Sequence, residues 1–306
     1  YLQLELLSNY GGEKVGLSEV SAFLGSGWYC DSAPDYSAMF SNYEGWTGAD
    51  GIYTVNLDGK DYDDTREASD QKTYFVFSDT IVSDVNPITK LRSNVTMPNN
   101  TSALLTGRKP SCKNIEFSYP QDDEKTANIM PANPIPATKK GKNIYYWLGD
   151  TFVIGDKLYV YCLRIDSVNT TYGFEQIGVD LGCYDVKDGK VDESSLQIVD
   201  DDAMRLCDIS DPEAKWYFGG AVYQSTEEAG AMDPDGYVYV YGYQDVQNLG
   251  RELIVSRVKP ENIADFSKYE YLNSDSEWTA QVPEEFKYLA EDVAPECSVS
   301  QIQEGE

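Results

Sequence analysis

Histidine is missing altogether. Its absence excludes Ser-His-Asp and Cys-His relays, histidine zinc sites and the His-Glu-x-x-His metalloprotease helix. Bases are scarce: 24 Lys and Arg stand against 52 Asp and Glu, a net charge of −28. That field repels phosphate backbones and anionic lipid, which excludes a nucleic-acid partner while admitting neutral polymers and cations. No run approaches the roughly 20 apolar residues of a membrane span, so no membrane insertion is expected. Helical periodicity is nearly lacking, and only Leu17–Leu24 and Pro260–Phe266 read as short helical turns. The six cysteines, at 30, 112, 162, 183, 207 and 297, include no Cys-x-x-Cys pair and no metal-ligand spacing. Cys162 and Cys183 fall in strand-like segments where buried free thiols are common, and mostly free thiols are expected. The first residue is Tyr1 rather than Met, from which removal of a leader or an upstream domain is expected.

What remains is carboxylate and aromatic chemistry: 52 acids and 24 tyrosines in a chain of 306 residues, with 41% hydrophobic content to supply a core. One segment occurs twice. Residues 72–82 read KTYFVFSDTIV and residues 143–154 read NIYYWLGDTFVI. Each is an aromatic, β-branched strand ending in a small residue, then Asp79-Thr80 or Asp150-Thr151. Two successive units ending in an acid at the same point indicate a repeat architecture.

Turn signals at Asp58-Gly59, Gly155-Asp156, Asp188-Gly189 and Asp235-Gly236 divide the chain into groups of strands, because Gly and Asp tolerate positive φ. The first group is 51–57, 74–82, 102–107 and 115–119. The second is 144–154, 158–165, 175–186 and 196–199. The third is 216–224, 236–243, 252–258 and 269–272. A fourth opens with a strand at 294–302 and stops, so either part of a blade is absent or the N-terminal segment completes it. Recurring four-stranded antiparallel units predict an all-β fold, a β-propeller, as a single domain over 1–306 with residues 1–44 as a leading segment. Its long insertions are the charged stretch 58–72 and the proline- and lysine-containing stretch 121–142.

Four acids stand out. Asp50 lies in Glu44-Gly45-Trp46-Thr47-Gly48-Ala49-Asp50-Gly51, where small residues let a ligand approach and Trp46 offers a ring for a sugar to stack on; the competing reading is an Asp-Gly turn. Asp79 and Asp150 each interrupt an aromatic strand, a costly placement unless the carboxylate is hydrogen-bonded or faces a wet cavity. Either could instead tie neighbouring units together through backbone N–H groups, and one of the two is expected to do so. Glu296 begins the last strand after a proline. Gly219-Gly220 opens the third unit, where the lack of side chains admits a substrate or another backbone. Asp201, Asp202, Asp233 and Asp235 give a weak calcium signal without EF-hand spacing, and no cofactor or metal site is assigned.

Several of these segments resemble a family. Trp46…Ala49-Asp50-Gly51, Phe75-Val76-Phe77-Ser78-Asp79-Thr80, Asn100-Thr101-Ser102 and Tyr146-Trp147-Leu148-Gly149-Asp150-Thr151 are similar to a group of bacterial propeller domains long described as of unknown function. That group includes endo-D-arabinanases and is more distantly similar to five-bladed furanosidases. The resemblance implies a five-bladed propeller with Asp50 and Asp79 as the catalytic pair. It implies Trp46, Asn100, Asp150 and Glu296 as substrate-binding residues. The expected protein is a secreted or cell-surface bacterial glycoside hydrolase, acting as a monomer on a furanose-containing or related polysaccharide. The rival readings are a non-catalytic carbohydrate-binding module and a structural propeller of a surface protein.

Overall fold

Two-residue turns set the register of the central sheet. Asp188 and Gly189 adopt φ of 53° and 68°, the pair of left-handed residues that a type I′ hairpin requires, and Lys187 pairs with Lys190 across them. Gly155 (φ 62°) performs the same service between Ile154 and Lys157. The computed structural model describes residues 33–62, 69, 71–119, 144–167, 173–199, 207–208, 215–246 and 250–301. The turn expected at Leu17–Leu24, Cys30, Asp201, Asp202 and the stretch 121–142 lie outside them.

The fold is all-β, built from antiparallel sheets. Among the described residues one short α-helix, α1 (Pro34–Met39), precedes the strands, with proline in its first turn where no N–H is needed. The first unit consists of long segments that bend midway. Strands β1 (Glu44–Ala49) and β2 (Tyr53–Asn56) are two halves of one segment, β3 (Lys72–Phe77) and β4 (Thr80–Val85) of the next, and β5 (Arg92–Thr96) and β6 (Thr101–Thr106) of the third. The lower halves join β7 (Ile115–Ser118) in the order β2-β3-β6-β7, while the upper halves form a separate sheet, β1-β4-β5.

The second unit is a plain meander of β8 (Ile144–Ile154), β9 (Lys157–Asp166), β10 (Glu175–Lys187) and β11 (Lys190–Ile198). The third runs β12 (Cys207–Asp208), β13 (Trp216–Ser225), β14 (Tyr237–Val246), β15 (Gly250–Val258), β16 (Glu270–Leu272) and β17 (Trp278–Thr279). The helical turn expected near Pro260 is present as two 3-10 turns, Pro260–Asn262 and Phe266–Lys268. Residues 294–301 correct the sequence reading: they form no strand, and no neighbour among the described residues completes a hydrogen-bonded ladder with them.

The sheets pack in chain order. Tyr53, Val55 and Val76 meet Tyr146, Leu148 and Val160 between the first and second units. Phe152, Tyr161 and Leu181 meet Trp216, Phe218 and Ile254 between the second and third. A separate aromatic cluster of Trp46, Phe75 and Phe77 fills the first unit beneath Met39. At about 1.5–3 kcal/mol per fully buried large side chain, these seams are the main source of cohesion between units. β2 and β13 both lie against β8, so the first long strand of each unit stands beside the next.

Candidate active site

The bends in the first unit create the site. Asp50 and Gly51 interrupt one segment, and Ser78 and Asp79 interrupt its partner, at the same level. The Asp50 N–H donates to the Asp79 carbonyl at 3.1 Å, and the Ser78 N–H donates to the Asp50 carbonyl at 2.9 Å. The two acids are therefore cross-strand neighbours, whose Cβ atoms ordinarily lie about 4.5–5.5 Å apart. The backbones of Asp50 and Asp79, the pair singled out in the sequence, are thus adjacent.

Glu296 joins them from the far end of the chain. Gly51 has φ of 56°, and a Cβ there would sit 2.5 Å from the Ser78 hydroxyl and 3.1 Å from Glu296 Oε1. Only glycine permits that approach. Asp50 and Glu296 both line a cleft of about 520 Å³. Partial burial raises the Asp50 carboxyl above its ordinary range and the charge of Asp79 raises it further. The Glu296 carboxyl is raised likewise, first by burial and then by Asp50. Asp79 is fixed differently: Oδ1 accepts from Trp147 Nε1 at 2.9 Å and from Asn99 Nδ2 at 3.3 Å.

The remaining wall is aromatic and basic. Trp147 packs edge-to-face on Phe174 at 4.8 Å, and both line the cleft with Tyr217 and Tyr243. Arg251 lies over the Tyr243 ring and pairs with Asp245 at 3.0 Å, while Lys215 is 3.9 Å from Glu175. Trp147, Phe174, Lys215 and Arg251 were not singled out in the sequence. One signal was available for Trp147: it occupies, in the second copy of the repeat, the position of Val76 in the first, and a bulky indole replaces a β-branched core residue.

The other candidates go elsewhere. Trp46 is 3% exposed, stacks on Phe117 at 4.5 Å and donates its Nε1–H to Thr101 Oγ1, so it cannot serve as a sugar platform. The alternation of β1 turns that ring into the core. Asn100 is fully buried and donates to the Tyr146 carbonyl at 2.9 Å, tying the first unit to the second. Asp150 accepts from Thr151 N–H at 2.8 Å and from Val222 N–H at 2.6 Å, and so ties the second unit to the third. Burial outweighs those two bonds and pushes its carboxyl up to about 7. Gly219 and Gly220 admit another backbone: a Cβ on Gly220 would lie 2.9 Å from the Pro295 carbonyl. Asp235 caps the β13–β14 turn by accepting from Tyr237 N–H at 3.1 Å. Among the described residues no three acidic or cysteine side chains gather as metal ligands, and Cys112, Cys162, Cys183 and Cys297 are free thiols.

The sequence matches the family described as Domain of unknown function (DUF5005) over residues 33–305. The chain belongs to that family. Among solved structures it is similar to a candidate hydrolase from Bacteroides ovatus, at 19% identity and a TM-score of 0.54, with 82% of this chain and 58% of that chain covered. At that identity the likeness is one of fold, and the chain spans less than two thirds of that protein's length. A bifunctional GH43-CE protein from Bacteroides eggerthii overlaps at 9% identity and a TM-score of 0.25, covering 75% of this chain and 28% of that one, a level that carries no argument. No curated protein sequence matches the chain.

Proposed function

We propose that this domain is a glycoside-hydrolase-like β-propeller that cleaves a furanose-containing or related polysaccharide at the cleft lined by Asp50 and Glu296, with Asp79 hydrogen-bonded to the Trp147 of its wall. The observation that carries this reading is the meeting of two carboxyl groups in a cleft with an aromatic wall, from points as far apart in the chain as residues 50 and 296, with Asp79 held against that wall by Trp147. Radial geometry is supported by the paths of four segments. Those through Asp50, Trp147, Tyr217 and Glu296 each line the cleft, and each then runs on to line a second cavity with Tyr53, Asp150, Val222 and Ser298. Side-by-side segments running in one direction about a common axis are what the inner strands of propeller blades provide. An exported or cell-surface bacterial setting and a monomeric state go with this reading.

Glycoside hydrolysis needs one carboxyl to protonate the leaving oxygen and another to activate water or attack the anomeric carbon. The carboxylate of Asp79 is already held by two N–H donors, which suits it to orient and tune its neighbour. Asp50 and Glu296 carry the reaction, since each reaches the cleft and each has its carboxyl raised, Asp50 by burial and then the charge of Asp79, Glu296 by burial and then the charge of Asp50, which favours the proton that a general acid needs. The glycosidic C–O bond breaks as that proton passes to the departing sugar. The ionised partner receives the proton of the incoming water, or forms the covalent intermediate that water then releases. Trp147 and Phe174 offer the face on which a sugar ring lies.

The test is a screen of the purified protein against arabinan, arabinogalactan and other plant glycans, read as reducing ends released. Asp50→Asn and Glu296→Gln should each lower the rate by at least ~10³-fold, and Asp79→Asn by less, about 10–10²-fold. Wild-type protein that releases nothing from any of these glycans, or full activity in Asp50→Asn, rejects the proposal.

A further inference from the structure

The cleft has a counterpart. The second cavity, of about 790 Å³, is larger, and no residue lines both. Between them the segments close on one another through glycines: a Cβ on Gly149 would lie 2.5 Å from the Gly219 carbonyl, and one on Gly220 would lie 2.9 Å from the Pro295 carbonyl. That waist makes the second cavity a compartment with its own chemistry.

Its lining is rich in hydroxyl groups, from Thr54, Thr73, Ser298 and Ser300 among others, and in side-chain amides, Asn56 and Gln71 among them. Among the described residues it holds two acids, Asp61 and Asp150, and neither lysine nor arginine. Such a wall disfavours anions, which would be desolvated against like charge with nothing to pair with. Tyr62 brings an aromatic face, packed on Tyr223 at 5.3 Å, and its hydroxyl accepts the Gln224 backbone N–H at 3.4 Å.

Gln224 is the decisive residue. It lines the cavity, is 3% exposed, and its side-chain nitrogen finds no acceptor among the described residues. A buried amide left unmade costs about 1–3 kcal/mol, and a native protein keeps such a group chiefly where something else supplies the partner. Among uncharged ligands, sugars and polyols present the densest array of acceptor oxygens.

We propose that this cavity is a second binding site, for a small neutral polyhydroxylated ligand of mono- or disaccharide size, with the Gln224 amide donating to a ligand oxygen and Asp61 accepting from a ligand hydroxyl. Asp150, with its carboxyl raised to about 7, stands there partly as a neutral acid near physiological pH, which suits a neutral ligand better than a cation. The inference does not rest on hydrolysis at the cleft.

The experiment is calorimetric titration with L-arabinose, D-galactose, maltose and D-galacturonate. The proteins are the wild type, the cleft variant Asp50→Asn/Glu296→Gln, and two cavity variants, Gln224→Leu and Ser300→Trp. At least one neutral sugar should bind saturably, with affinity unchanged in the cleft variant. Gln224→Leu should weaken it about tenfold, the value of one hydrogen bond, and galacturonate should bind at least about tenfold more weakly than galactose. Ser300 is exposed, so Ser300→Trp obstructs the cavity without touching the core and decides the matter if Gln224→Leu fails to fold. Binding lost in the cleft variant, binding unaffected in both cavity variants, or no neutral sugar bound would each overturn the assignment.

Discussion

At the residue scale, the acids of this protein do different work according to what reaches them. Asp79 and Asp150 occupy equivalent points of a repeated segment, yet one receives side-chain donors beside the cleft and the other receives two backbone N–H groups, one of them across a seam. Asp180 is a third case. It is 1% exposed, accepts from the Tyr146 hydroxyl at 2.6 Å and from Arg164 Nε at 2.9 Å, and accepts a second bond from Arg164 Nη2. A buried pair of this kind is held by mutual need rather than by net gain over apolar packing. Arg164→Met should therefore destabilise the fold by about 3–5 kcal/mol in urea unfolding, because it strands Asp180 in the core. Arg164→Met/Asp180→Leu should recover most of that loss. A single variant as stable as wild type would mean that Tyr146 alone satisfies the carboxylate.

At the scale of elements, the strands closed by tight turns were legible and those defined by partners were not. The hairpin turns at 155–156 and 188–189 announce themselves through Gly and Asp, and β8 to β10 follow the expected limits closely. β1 is not among the strands expected from the sequence; it becomes a strand through β4, with a bulge between Trp46 and Gly48. β5 is exposed along nearly its whole length, so no alternation marks it. Residues 294–301 failed in the opposite sense, since they alternate with no ladder to join among the described residues. Irregular registers at Leu148/Thr151 in β8 and Phe218/Ala221 in β13 fall at the glycines of the waist. Bulges of this kind redirect side chains beside functional sites. Gly219 has φ of 101°, and a Cβ there would lie 2.5 Å from the Tyr161 ring. Gly155, at φ 62°, has nothing within 4 Å. Gly155→Ala should cost about 1 kcal/mol, from backbone conformation alone, and Gly219→Ala at least about 3 kcal/mol. Equal losses in thermal unfolding would show that the waist yields and does not hold the units in place.

At the scale of the molecule, the joining of Asp50 to Glu296 could not be read locally, because it depends on contacts across most of the chain. Composition did speak at this scale, through charge. With 52 acids against 24 bases, ionisation opposes compactness, and the raised carboxyls of Asp50, Asp150 and Glu296 add to that opposition. A carboxyl whose folded pKa lies above its unfolded value binds protons more readily in the native state, so its contribution weakens as pH rises from the unfolded value toward the folded one. For Asp150 that window runs from the ordinary 3.8 to about 7. Asp185 and Asp192, lowered by hydrogen bonds to Lys157, Lys187 and Ser194, act in the opposite sense but at the exposed surface, where the effect is small. The melting temperature should fall between pH 5 and pH 8. Salt should relieve part of the fall, since raising ionic strength from about 0.01 M to about 0.15 M shortens the screening length from about 30 Å to about 8 Å. The part due to desolvation of Asp150 lies in the interior and should persist in salt, then shrink in Asp150→Asn, whose amide does not titrate. A melting temperature that climbs across this range at low salt would show that paired acids, not crowded ones, govern the stability of the fold.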